Sequence, residues 1–146
     1  MRSLFYLLFL FTTVASAQLH THAFDDLDAL QQKESRPVVV FIHTEWCSYC
    51  QLMLRTTLKD PEVMEVLNER FYFISFDAGS TAPVTLGNKT YHYRPTGNQV
   101  GQHEIVGALG IAGFPGIVIL NPQSNVIYKE ASYFNTKHFL QLLTAF

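Results

Sequence analysis

Cysteine is almost absent. The 146 residues carry two, Cys47 and Cys50. A small secreted chain stapled by disulfides would hold more of them, and two cysteines separated by two residues cannot tie distant segments together. Their value is chemical rather than architectural. Charge is sparse as well, at 15% of residues, with 10 Lys+Arg against 12 Asp+Glu and a net charge of −2. No basic run breaks that balance, which argues against nucleic acid or an anionic membrane surface as a partner. Internal repeats and low-complexity tracts are also missing, which excludes repeat architectures. The long apolar run near the start, Leu4 to Phe11, falls short of the roughly 20 residues that span a bilayer.

That run has a different reading. It follows Arg2 and precedes the small-x-small site Ala15-Ser16-Ala17, the order of a secretory signal with its cleavage site. Residues 1–17 are therefore expected to be a signal peptide and residues 18–146 one mature domain, long enough for a single core. No cysteine immediately follows the run, so a lipid-anchored form is not expected. The chain is expected to be secreted across an inner membrane, to the periplasm or the exterior, and to be a monomer.

Gln18 to Ala23 is polar and reads as a loose lead-in. Phe24, Leu27 and Leu30 share one face of a helix over Asp25–Glu34, which Arg36-Pro37 ends. Val38-Val39-Val40-Phe41-Ile42 is apolar without alternation and rich in β-branched residues, which suits a central strand covered on both faces. From Cys47 onward the pattern turns helical, with Cys50, Leu54 and Leu58 four apart. Asp60-Pro61-Glu62 has the form of an N-cap, a first-turn proline and a first-turn acid, opening a helix that runs to about Arg70. Phe71 to Phe76 is a second strand, ending at Asp77. The segment from Ala78 to Gly101 has scattered Gly and Pro and one expected hairpin, Thr85–Tyr91, around Gly87-Asn88. A short helix is expected from His103 to Leu109, closed near Gly110. Strand Ile117–Leu120, a turn through Asn121–Asn125 and strand Val126–Tyr128 form a hairpin, and Asn135 caps a last helix, Thr136–Ala145. The elements imply an α/β fold with a mixed central sheet and helices on both faces.

The chemistry sits where the first strand passes into the following helix, at Trp46-Cys47-Ser48-Tyr49-Cys50. A Cys-x-x-Cys at such a junction is the sequence form of a dithiol–disulfide centre. At a helix N-terminus the free N–H groups and the macrodipole favour a Cys47 thiolate. Cys50 lies one turn further in, shielded and near enough to close the disulfide. An exposed Cys47 sulfur is expected to attack a substrate disulfide and Cys50 to release the mixed disulfide. Trp46 flanks the pair and offers an apolar surface to a client chain.

These residues resemble the thioredoxin superfamily, and in particular the secreted thioredoxin-like proteins of bacteria with a Trp-Cys-x-x-Cys. The likeness rests on strand Val38–Ile42, the Trp46–Cys50 motif, Met53, Asp60-Pro61-Glu62-Val63, and Gly113-Phe114-Pro115-Gly116 ahead of strand Ile117–Leu120. It implies a thioredoxin fold over about Asp25 to Phe146. It also implies a cis bond before Pro115, an uncommon feature, with Pro115 facing the disulfide and the Phe114 backbone positioning an extended client. Two departures bear on chemistry. Thioredoxins carry a buried Asp six residues before the first Cys, and here that place is Phe41. Proton transfer must then use water or another group, for which His43 and Glu45 are the candidates. Between the cysteines stand Ser48-Tyr49, with no histidine to stabilise a thiolate, so a more reducing potential is expected than in a strong oxidant.

The resulting expectation is a thiol–disulfide oxidoreductase, acting as a reductase, with no cofactor and no metal. Its partners would be protein or small-molecule disulfide clients and a membrane or soluble redox donor. The alternative is a non-catalytic thioredoxin-fold binding module, or a copper or other metal chaperone whose soft sulfur ligands are the same two cysteines.

Overall fold

The structure, a computed structural model, describes residues 18–97 and 99–146. The expected signal peptide and its cleavage site lie outside the described residues. Four strands form the central sheet: β1 (Val38–His43), β2 (Tyr72–Asp77), β7 (Gly116–Leu120) and β8 (Val126–Ala131), in the order β2-β1-β7-β8. β1 runs parallel to β2 and antiparallel to β7, and β7 runs antiparallel to β8, so the sheet is mixed, as the element pattern implies.

The uninterrupted apolar run of β1 is explained by its two covered faces. Val38, Val40 and Ile42 join a core with Phe24, Leu27, Ile105 and Val106, beneath helices α1 (Leu27–Lys33) and α4 (Glu104–Ala108). Val39 and Phe41 point the other way. They pack with Cys50, Met53, Val63, Leu67 and Phe139, from helices α2 (Ser48–Arg55), α3 (Pro61–Arg70) and α5 (Thr136–Thr144). A strand's period of two sorts consecutive residues into different cores, and neither core leaves room for a polar position.

Caps appear where the sequence places them. Asp60 Oδ1 accepts from the Glu62 and Val63 N–H groups at 3.0 and 3.3 Å, and Asn135 Oδ1 accepts from His138 N–H at 2.9 Å. Each cap stabilises its helix by about 1 kcal/mol. The α4 cap is His103, which is buried. Its Nδ1 accepts from Ile105 N–H while Nε2 meets the Ala82 carbonyl at 3.0 Å. Gly110 follows with φ +76°, a conformation that favours glycine at a helix end.

Two expectations need correction. The lead-in is not loose: Thr21 bridges to Phe73, His22 N–H donates to the Phe73 carbonyl at 2.8 Å, and His20 N–H donates to Asn68 Oδ1. The open backbone edge of β2 supplies partners that composition does not reveal. The 78–101 segment also holds two hairpins rather than one. β3 (Val84–Leu86) and β4 (Lys89–Tyr91) turn through Gly87, at φ +59°, as the pattern implies. β5 (Tyr93–Thr96) and β6 (Gln99–His103) form the second, with a register shift between Arg94 and Thr96 around Pro95. Proline removes a ladder donor and belongs at an edge or bulge, so the run does not read as a strand from residues alone. Among the described residues no helix is long and apolar enough to cross a membrane.

Candidate functional site

The loop leaving β1 carries the cysteine pair. Thr44 to Trp46 turn the chain, with Cys47 N–H donating to the Thr44 carbonyl at 3.3 Å, and α2 begins at Ser48. Cys47 is the N-cap of α2. Its backbone is extended, and its Sγ accepts from the Cys50 N–H at 3.1 Å. Cys47 and Cys50 are joined in a disulfide, with their Cα atoms 5.2 Å apart. One backbone donor thus already points at the first sulfur, and the helix dipole adds positive potential there.

The expected contrast between an exposed Cys47 and a shielded Cys50 is nearly absent. Cys47 keeps 6% of its surface and Cys50 none. Cys47 is therefore buried rather than openly exposed, because it packs into the core that holds Phe41, Cys50 and Met53. The aromatic neighbours are what stand out: Trp46 is 68% exposed and Tyr49 62%. Trp46 meets Phe114 edge-on, with centroids 5.8 Å apart, and Tyr49 leans on Tyr133 at 5.7 Å. Trp46 before the pair and Tyr49 within it thus each have a second ring from a distant segment. Tyr133 carried no signal in the sequence, since an isolated tyrosine after a strand has no pattern around it.

The Phe114–Pro115 peptide bond is cis. Gly116 is paired with Ile42, so Pro115 lies level with the end of β1, where the Thr44–Cys47 loop departs. Phe114 packs against both cores and reaches Trp46. Pro115 itself is buried.

The two candidate proton carriers part company. His43 is two residues past Phe41 on the same face of β1, and its ring stacks on Phe41 at 5.3 Å, toward the core that holds Cys47 and Cys50. Its Nδ1 is buried without a hydrogen-bond partner. Burial lowers the His43 pKa below its ordinary value, and neighbouring Asp77 opposes that with a smaller raising effect. Glu45 is exposed and lines a cavity beside Trp46 instead.

The depressed His43 pKa gives stability a direction with pH. The unfolded chain takes up this proton near about pH 6.5 while the folded protein resists it. Acidification through that value therefore favours unfolding, and the loss is complete only below the folded pKa. Urea midpoints from about pH 8 to 5 are expected to fall on acidification, and to fall less in His43→Phe, which keeps the stack. His22, whose pKa burial also lowers, leaves a residual slope of the same sign. Equal slopes in the two proteins would show that His43 is not held neutral.

Among the described residues no group of three or more His, Cys, Asp or Glu is placed to hold a metal ion. A family model described as a thioredoxin-like domain matches residues 23–146. Comparison with curated proteins gives no match. Among solved structures, a thioredoxin from Thermus thermophilus is similar with a TM-score of 0.64 at 25% identity, covering 87% of this chain and 85% of that one. A DsbH oxidoreductase aligns with a TM-score of 0.64 at 15% identity, over 90% and 87% of the two chains. The C-terminal domain of DsbD from Neisseria meningitidis, in its reduced form, aligns at 0.56 and 20% identity, over 82% and 89%. At those last two identities the likeness is one of fold.

Proposed function

We infer that this chain, which belongs to the thioredoxin-like family, is an exported thiol–disulfide oxidoreductase that works as a reductase in the periplasm or outside the cell. The observation that carries the reading is the Cys47–Cys50 disulfide at the start of α2, with Cys47 as the helix N-cap and Cys50 one turn further in and fully sealed.

In the reduced protein the Cys47 thiolate attacks a client disulfide. A Cys47–client bond forms as the client S–S bond breaks, and the departing client sulfur leaves as a thiolate that takes up a proton. Cys50 then gives up its proton and attacks Cys47 Sγ. That step forms the intramolecular disulfide and frees the second client sulfur, so two electrons have passed to the client. Neutral His43, on the same side of β1 as the pair, is the better-supported acceptor for the Cys50 proton, and Glu45 or water is the other route. Trp46 and Phe114 hold the client against the site, and Pro115 shapes the backbone it lies along. Turnover requires a dithiol donor, membrane-bound or soluble, because a periplasm is kept oxidising. The reading takes the protein as a monomer with no resident cofactor or metal.

The direction of electron flow rests on Ser48-Tyr49, which place no histidine between the cysteines. Equilibration with glutathione buffers is expected to give a potential toward the thioredoxin end, near about −270 mV. A value of about −120 to −180 mV would overturn the reductase assignment in favour of an oxidase or isomerase. A pair that does not cycle, and instead retains metal stoichiometrically through both cysteines, would make the protein a binding module.

A further inference from the structure

A cavity of about 330 Å³ opens beside the exposed Trp46, between the β1–α2 loop, the end of β2 and the strand β6 of the second hairpin. Its walls combine two kinds of chemistry. Trp46 and Phe114 present aromatic surface, and the charged lining groups, Glu45 and Asp77, are both acidic. Thr44 also lines it, with only 6% of its surface exposed and its hydroxyl without a hydrogen-bond partner. An orphaned buried hydroxyl beside an open cavity is a position awaiting a partner. On the hairpin side the wall includes Gly101, where an added Cβ would overlap the Tyr93 hydroxyl and the Arg94 carbonyl. Glycine at 101 thus lets β6 lie close against β5, and Gln102 beside it also lines the cavity.

An aromatic face beside carboxylates is the environment that recognises a side-chain cation, and a guanidinium suits it best because it stacks flat and donates along its edges. We propose that this cavity is a specificity pocket for a basic side chain, arginine above lysine, lying within a few residues of the client cysteine that Cys47 attacks. The proposal rests on the exchange function above and adds the class of client. The client's cation lies against Trp46 with Glu45 and Asp77 facing it, while its backbone runs past Phe114 toward Cys47. Asp77 is already fixed in place, since its Oδ1 accepts from the Gly79 N–H at 2.9 Å. Glu45 is exposed and free to adjust.

The test uses cystine-containing peptides that differ at one flanking position, carrying Arg, Leu or Glu, and reads kcat/KM for their reduction. The Arg peptide is expected to exceed the Leu peptide by about tenfold, as one partly desolvated cation site allows, and the Glu peptide to fall below both. The Arg-to-Leu ratio should shrink as salt rises from about 0.05 to 0.5 M. In Glu45→Gln the ratio should drop toward one, and in Glu45→Lys the Glu peptide should overtake the Arg peptide. Because the readout is a ratio, any change that the substitution makes to the sulfur chemistry divides out. Equal rates for all three peptides in the unaltered protein would overturn the pocket and leave the exchange reading intact. Failure to reduce any of them would overturn the exchange reading itself. A preference that survives both Glu45 variants and high salt would show that Trp46 and Phe114 select for apolar length, not for charge.

Discussion

Cys47→Ser is expected to reduce disulfide exchange by at least about a thousandfold, because the one thiol that remains is fully sealed from solvent. The chain has only two cysteines, and the remaining one, Cys50, is fully buried on the inner side of α2. Cys50→Ser is expected to behave differently. Cys47 keeps its place at the helix start, facing the Cys50-position N–H that now reaches it at 3.1 Å, and can still attack. The intramolecular step that frees the client is gone, so a covalent protein–client disulfide should accumulate. Neither change should unfold the protein, since a disulfide closing so short a loop constrains the unfolded chain little. Insulin reduction gives the rate, and mass spectrometry without reductant identifies the trapped species. Full activity in Cys47→Ser, or a mixed disulfide mapped to Cys50 in the intact protein, would reverse the roles assigned to the two sulfurs.

The placement of those cysteines at the start of α2 is readable from the residues because it depends on local geometry alone. A β-branched run followed by Cys-x-x-Cys places one sulfur at a helix start and the next on its inner face. The same locality made Asp60, Asn135 and the Gly87 turn predictable. What escaped depends on segments that meet only in three dimensions. The pairing of Thr21 with Phe73 needs the free edge of β2, and the β5–β6 ladder is buttressed by Glu104 from the following helix. Glu104, on α4, takes the Arg94 side chain at 2.7 Å and the His92 N–H at 2.9 Å. No periodicity announces either. The pocket beside Trp46 belongs to the same class: Thr44, Asp77 and Gly101 are far apart in the chain and unremarkable singly. The burial of Cys47 is likewise a product of the core packed around it.

Phe41 is where local pattern and tertiary role coincide, and Phe41→Ala is expected to cost about 3–5 kcal/mol, the range for deleting a buried phenylalanine. The ring is fully buried at the middle of the central strand, with Ile117 and Ser75 as cross-strand partners. It lies in the core with Cys50 and Met53, and the His43 ring stacks on it. Where the thioredoxin resemblance would place a buried Asp, this chain has a fully buried aromatic ring, which serves packing rather than proton transfer. The cost is large because the strand is hydrogen-bonded on both sides and cannot collapse into the space. Thermal unfolding of the oxidised protein should drop by about 10–20 °C, and urea unfolding should show the midpoint moving at an unchanged slope. Phe41→Leu, which keeps most of the volume, should lose much less. A Phe41→Ala protein within about 1 kcal/mol of the original would mean that the surroundings of Cys50 are loosely packed. Water would then reach the second sulfur directly, and no case would remain for His43 as its proton acceptor.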